Sequence, residues 1–133
     1  SMGAADFLLG VCESWMTPAL FLSVTFIAGA VISFFTGSSW GTFAICIPIA
    51  VPMAYSFTGG QLGTLVYAAV GAVVSGGLFG DHCSPVSDTT VLSSLGAACD
   101  HIDHVRTQLP YALLAAVVSM ILWVVVAMVG GAA

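Results

Sequence analysis

Three long apolar runs decide what this chain can become: residues 19–35, 62–79 and 109–129. A membrane-crossing helix needs roughly 20 mostly apolar residues, with a range of about 17–25, and each run meets that length. A fourth run, residues 43–57, is shorter and carries Pro48 and Pro52. Charge is almost absent. Arg106 is the lone Lys or Arg against six carboxylates, and charged residues make up 5% of 133. A soluble domain carries about 25%, so this chain could not clothe a water-facing surface with polar side chains. One arginine cannot neutralise a phosphate backbone either. A soluble enzyme, a nucleic-acid partner and a disordered tail are all excluded. The expected fold class is all-α, a polytopic membrane protein whose solvent is the lipid bilayer.

No run is a secretory signal, because no cationic segment precedes an apolar core. Ser1-Met2 has the look of a cloning remnant. Cys12, Cys46, Cys83 and Cys99 form no C-x-x-C pair and sit in or beside apolar runs. They read as small buried hydrophobes, and they do not suggest a disulfide framework.

The informative residues lie where the apolar runs stop. The first break, Thr36-Gly37-Ser38-Ser39-Trp40-Gly41-Thr42, has four hydroxyls, two glycines and no charge. Its flanking arms, within residues 19–57, pair as a helical hairpin. Two readings stand: a plain extramembrane turn, or a re-entrant hairpin whose tip lies inside the membrane. Non-helical backbone at that depth is allowed only where protein or a water-filled cavity satisfies it. Hydroxyl and carbonyl oxygens at such a tip suit a hard cation.

The second break, Gly80-Asp81-His82-Cys83-Ser84-Pro85-Val86-Ser87-Asp88-Thr89-Thr90, follows a full apolar run. Ser84 as N-cap with Pro85 at the first helical position predicts a half-helix over residues 85–95, stopped by Gly96. Residues 62–98 then read as one transmembrane helix broken in its middle, with Asp81 and Asp88 near the break. A carboxylate at a helix centre costs roughly 2.5–3.5 kcal/mol to insert, and no lysine or arginine is close in sequence. Its partners are a bound cation or a proton. Burial favours the protonated carboxyl and a nearby cation favours the ionised one, so one Asp can exchange H+ for Na+ at the same oxygens.

Thr64, Ala68, Ala72, Gly76 and Gly80 recur every four residues, a small-residue face that lets helix backbones approach closely in lipid. The third polar cluster, residues 99–108, contains Cys99, Asp100, His101, Asp103, His104 and Arg106. A metal site is conceivable from the ligand types, but the position between two apolar segments favours a solvated connector. Arg106 weakly places that connector on the cytoplasmic side. Residues 109–130 read as a last transmembrane helix.

The run T-G-S-S-W-G-T-F-A-I at residues 36–45, followed by Pro48 and Pro52, resembles the hairpin of the NhaC-type Na+/H+ antiporter family. The runs G-D-H-C-S-P-V-S-D-T-T-V-L-S-S at residues 80–94 and D-H-I-D-H-V-R-T-Q-L-P-Y-A at residues 100–112 are similar to that family's carboxy-terminal region. The resemblance implies the architecture of the wider ion-transporter superfamily: two inverted repeats, each with a re-entrant hairpin and a broken helix, and ion sites near the midplane. Members of such families run to several hundred residues. Residues 3–133 therefore look like the last repeat alone: a lead-in at 3–18, the hairpin, the broken helix, the connector and the final helix. Its partner is then the missing amino-terminal repeat or another chain, and a homo-oligomer is expected.

Carried over position by position, the resemblance implies ion ligands at the hairpin tip (Thr36, Ser38, Ser39 and Thr42) and at the broken helix (Asp81, Ser84, Asp88 and Thr89). Asp88 comes first as Na+ ligand and proton carrier, Asp81 second, with His82 as proton relay. The function implied is sodium/proton antiport in a bacterial inner membrane, with Na+ and H+ as cargo, no cofactor, no transition metal and no enzymatic activity. Three alternatives accompany it: sodium-coupled exchange of a small organic acid or amino acid, a non-transporting assembly subunit, and a membrane metalloenzyme using His82, Cys83, Cys99, His101 and His104.

Overall fold

The computed structural model describes residues 16–130, in five helices: α1 (Pro18–Thr36), α2 (Ser39–Phe57), α3 (Thr64–Cys83), α4 (Asp88–Gly96) and α5 (His101–Gly130). Among the described residues there is no strand. α1, α2, α3 and α5 are each long and apolar enough to cross a membrane, and the chain is an all-helical integral membrane protein. The lead-in segment expected at residues 3–18 lies almost wholly outside the described residues.

Local chemistry sets the helix ends. The Thr17 hydroxyl accepts from the Leu20 N–H at 3.3 Å, and Pro18 fills the first helical position, where its missing N–H costs nothing. α1 stops at Gly37, whose φ of 64° favours glycine and whose N–H donates to the Ser33 carbonyl. The next residue, Ser38, already caps α2 by accepting from the Gly41 N–H at 3.3 Å. Gly37 and Ser38 thus form the entire tip of the hairpin.

α1 runs parallel to α3 along the small-residue face. A Cβ at Gly76 would strike the Phe26 carbonyl oxygen, and one at Gly80 would strike the Ala30 carbonyl oxygen. Only hydrogen at these positions lets the two backbones come this close. α5 returns antiparallel to α3. The Trp123 indole N–H donates to the Ser75 hydroxyl at 3.0 Å with its ring over Gly71, and Gly130 ends beside Thr64. The apolar core of Phe21, Leu22, Phe26, Ala50, Met53, Ala72 and Val73 joins α1, α2 and α3.

Two segments depart from expectation. The half-helix begins at Asp88, three residues later than predicted, with Ser87 as its N-cap. Ser84 is occupied elsewhere: its hydroxyl donates across the interface to the Phe34 carbonyl at 2.6 Å. Residues 85–87 consequently form a turn. The connector, in turn, is mostly helical. The Asp100 carboxylate accepts from the Ile102 and Asp103 N–H groups at 2.9 and 3.1 Å, so α5 starts at His101 and continues through Pro110.

α5 also gives a scale of depth. Its 30 residues cover about 45 Å, close to a bilayer with its headgroups. Leu109 and Leu113 share a surface depression with Phe34, Phe35, Phe79 and Cys83. The last turns of α1 and α3 therefore stand about a third of the way along α5. α3 contributes 20 residues before the break and α4 nine after it, so the break is off-centre.

Replacing Gly80 with Val should push α1 off α3, since the new side chain meets backbone rather than a movable side chain. The expected loss is about 3 kcal/mol or more, beyond ordinary overpacking. Gly96→Ala, where an added Cβ meets open space, should be neutral. Thermal unfolding of the two variants in detergent checks the contrast.

Candidate ion site

Asp81 is on the last turn of α3 and is only 8% exposed. Its Oδ1 is buried without a hydrogen-bond partner. On α1, Ser33 is fully buried and its Oγ is likewise unpartnered. The interface geometry relates the two. Gly29 backs onto the Val73 carbonyl and the Gly77 N–H. One helical turn further along the parallel pair, Gly29 leads to Ser33 and Gly77 leads to Asp81. From α2, the Thr42 methyl stands 3.5 Å from where a Gly77 Cβ would be. The last turns of α1 and α3 and the first turn of α2 therefore meet at the level of Asp81. A third unpartnered buried atom, Gln108 Oε1, belongs to α5.

The break is joined to the hairpin tip at two points. One is the hydrogen bond from Ser84 to the Phe34 carbonyl. The other is Gly37, where an added Cβ would lie 2.6 Å from the Val86 carbonyl oxygen. Across the break, the Thr90 hydroxyl lies 3.4 Å from the carbonyls of both Asp81 and His82 at the end of α3, and the Asp81 carbonyl also accepts from the Ser84 N–H at 3.2 Å.

The expected site residues divide into two sets. Asp81, Ser84, Ser39 and Thr42 are buried. Ser38 is half-buried and caps α2, while its carbonyl accepts from the Thr42 hydroxyl at 2.9 Å. Asp88, Thr89, Thr36 and His82 are exposed. The Asp88 carboxylate accepts from the Thr89 N–H at 2.7 Å, and the Thr89 hydroxyl pairs with Ser87 at 2.8 Å. The Thr36 hydroxyl donates back to the Ile32 carbonyl at 2.8 Å. The buried carboxylate is Asp81, and the first-ranked Asp88 lies on the surface of this unit. Among the described residues, no group of three or more His, Cys, Asp or Glu gathers as a metal ion would require.

Ser33 is the residue that sequence reading missed. It lies inside an apolar run, before the first break begins at Thr36. Its signal is its register: it falls four residues after Gly29 and four before Gly37, on the face that meets α3. Ser23 and Thr25 in the same helix donate to carbonyls four residues back; Ser33 does not.

The sequence profile described as the Na+/H+ antiporter family matches residues 2–128. An uncharacterized protein of Haemophilus influenzae is 52% identical over 110 residues, covering 82% of this chain and 20% of the relative. The malate-2H(+)/Na(+)-lactate antiporter of Bacillus subtilis is 38% identical over 114 residues, covering 86% and 23%. The Na(+)/H(+) antiporter NhaC of Alkalihalophilus pseudofirmus is 33% identical over 124 residues, covering 93% and 26%. The chain thus spans about a fifth to a quarter of the length of these relatives. No solved structure matches.

Ser84→Ala tests the join between tip and break. It removes a bond to a carbonyl at a helix end and leaves that acceptor short of a donor. The expected loss is about 1–2 kcal/mol. A cysteine placed at Ser38 should then react faster with a thiol reagent in a Cys-free background. An unchanged labelling rate would show that the tip is held without Ser84.

Proposed function

We propose, on the premise that this chain belongs to the Na+/H+ antiporter family, that it is the part of a sodium/proton antiporter in which Na+ and H+ exchange at Asp81. One observation carries the reading: a carboxylate more than nine-tenths buried whose Oδ1 has no partner. A buried carboxylate must be compensated by a cation or a proton. The chain's single arginine, Arg106, is exposed on α5, while the Asp81 Oδ1 is buried without a partner. The compensating charge is then the cargo itself.

The exchange follows from the oxygens at hand. Ionised, Asp81 offers a hard anionic oxygen to Na+, and the unpartnered Ser33 Oγ offers a neutral one. Thr42 and Ser39 extend the same oxygen-rich end. Protonated, the Asp81 carboxyl is neutral and needs no cation beside it. One carboxylate does not hold both ions at once, and that competition is the chemical requirement for antiport. Asp88, exposed at the first turn of α4, acts as an acceptor on the access path rather than as the central ligand, with His82 beside Asp81 as a relay. A re-entrant hairpin is supported by the last turns of α1 and α3, which stand about a third of the way along α5. Na+ and H+ are cargo, no cofactor is needed, and the protein is a transporter and not an enzyme. Its place is a bacterial inner membrane, where the rest of a full transporter or another chain, in a homo-oligomer, completes the unit.

A second reading is sodium-coupled exchange of a small organic acid, favoured by the Bacillus subtilis relative, which is more similar than NhaC. It requires a cationic or N–H-rich seat for the substrate carboxylate; the N-termini of α2 and α4 offer N–H groups, but the single arginine, Arg106, is exposed on α5, which favours the inorganic ion. Transport of Na+ and H+ in the absence of any organic acid separates the two readings.

In proteoliposomes containing the full-length transporter, Asp81→Asn should reduce sodium-driven proton movement to background. Asn retains the shape and one carbonyl but loses the exchangeable proton and the charge. Ser33→Ala should weaken apparent Na+ affinity roughly tenfold, the loss of one neutral ligand. It should not destabilise the sodium-free protein, because an unpartnered hydroxyl contributes nothing there. Asp88→Asn should retain measurable exchange. An inactive Asp88→Asn beside an active Asp81→Asn would move the exchange to Asp88.

A further inference from the structure

His101, the first residue of α5, is used by none of the chemistry above, yet it links three segments. Its Nε2 lies 2.7 Å from the Pro85 carbonyl oxygen, inside the break, and its Nδ1 lies 3.1 Å from the Ser94 hydroxyl on α4. The Ser94 hydroxyl also lies 2.9 Å from the Val91 carbonyl, to which it donates. Counting protons decides the state of the ring. A carbonyl can only accept, so Nε2 carries hydrogen. Ser94 has one hydrogen, and the Val91 carbonyl takes it, so Nδ1 must donate as well. All three contacts are made at once only when the ring carries both protons. A neutral ring forces Ser94 to turn away from Val91 to serve Nδ1, and one contact is lost.

We propose that His101 is a proton-operated latch that holds the break between α3 and α4 against the start of α5. It is a positioning residue: it touches no cargo, and it acts by fixing the Pro85 carbonyl. The latched form makes one more hydrogen bond when the ring is charged. That added stability is therefore present on the acid side and lost as pH rises. The ring's surroundings permit the charge. On α5, Asp100 and Asp103 flank it, with His104 and exposed Arg106 further along. Cys99 lies beside Ser94. α4 presents Ser94 and the Val91 backbone, and the break presents the Pro85 carbonyl, with the titratable His82 and Asp88 exposed on either side of it in the chain. This inference does not depend on the role given to Asp81.

The test is amide hydrogen exchange over residues 84–91 in the full-length transporter, corrected for the intrinsic effect of pH. Protection in the wild type should be about tenfold higher at about pH 5.5 than at about pH 8.5, the scale of one hydrogen bond. His101→Gln keeps a donor for Pro85 but cannot titrate, so its protection should not respond to pH. Ser94→Ala removes the acceptor for Nδ1 and should be equally unresponsive, which decides the matter should His101→Gln fail to fold. His104→Gln should behave as wild type. A wild type without the response, or either clasp variant retaining it, would overturn the latch.

Discussion

The site depends on how closely α1 can approach α3. Hydrogen in place of a side chain at Gly76 and Gly80 lets the Phe26 and Ala30 carbonyls rest on the α3 backbone. In lipid, where no water drives helices together, such packing is a main source of association. Everything at the tip end follows from that register. The close approach brings Phe34 within reach of Ser84, seats Gly37 on the Val86 carbonyl, and encloses Asp81 and Ser33 in the same interface. A wider gap would leave Asp81 in contact with water or lipid headgroups, where a carboxylate needs no partner and exerts no selectivity.

The two breaks in helical structure serve each other. A helix that stops within a membrane exposes carbonyls and N–H groups that lipid cannot satisfy. Here the Asp81 and His82 carbonyls receive the Thr90 hydroxyl, the Phe34 carbonyl receives Ser84, and the Pro85 carbonyl receives His101. The carbonyls of the second break are satisfied from the half-helix and from α5, and that break in turn donates to the end of α1. Burial of an unpaired carboxylate oxygen beside that region, in the interface that also holds the unpaired Ser33 Oγ, is what singles out Asp81.

Much of this was legible in the sequence because lipid imposes simple rules. The spans follow from run length, the hairpin from an uncharged hydroxyl break between two apolar arms, and the α1–α3 contact face from small residues at Ala68, Ala72, Gly76 and Gly80. What was not legible depends on partners distant in the chain. Ser84 reads as a helix cap until Phe34, fifty residues earlier, takes its hydrogen; the cap then passes to Ser87. Residues 99–108 read as a solvated connector because they are polar, yet Asp100 caps the stretch from His101 onward into helix. The motif put Asp88 ahead of Asp81, and only the fold shows that Asp81 is buried and Asp88 exposed in this unit. Ser33 was hidden by its apolar neighbours.

The central claim, that one carboxylate takes Na+ and H+ in turn, is tested most directly by counting protons during sodium binding. Calorimetric titration of the full-length protein with Na+ would be repeated in buffers of different ionisation enthalpy, at a pH where the empty site carries its proton. Exchange at a single carboxylate predicts that about one proton leaves for each Na+ bound, and that the release vanishes together with sodium binding in Asp81→Asn. Sodium binding with no proton release, or undiminished release in Asp81→Asn, would contradict it.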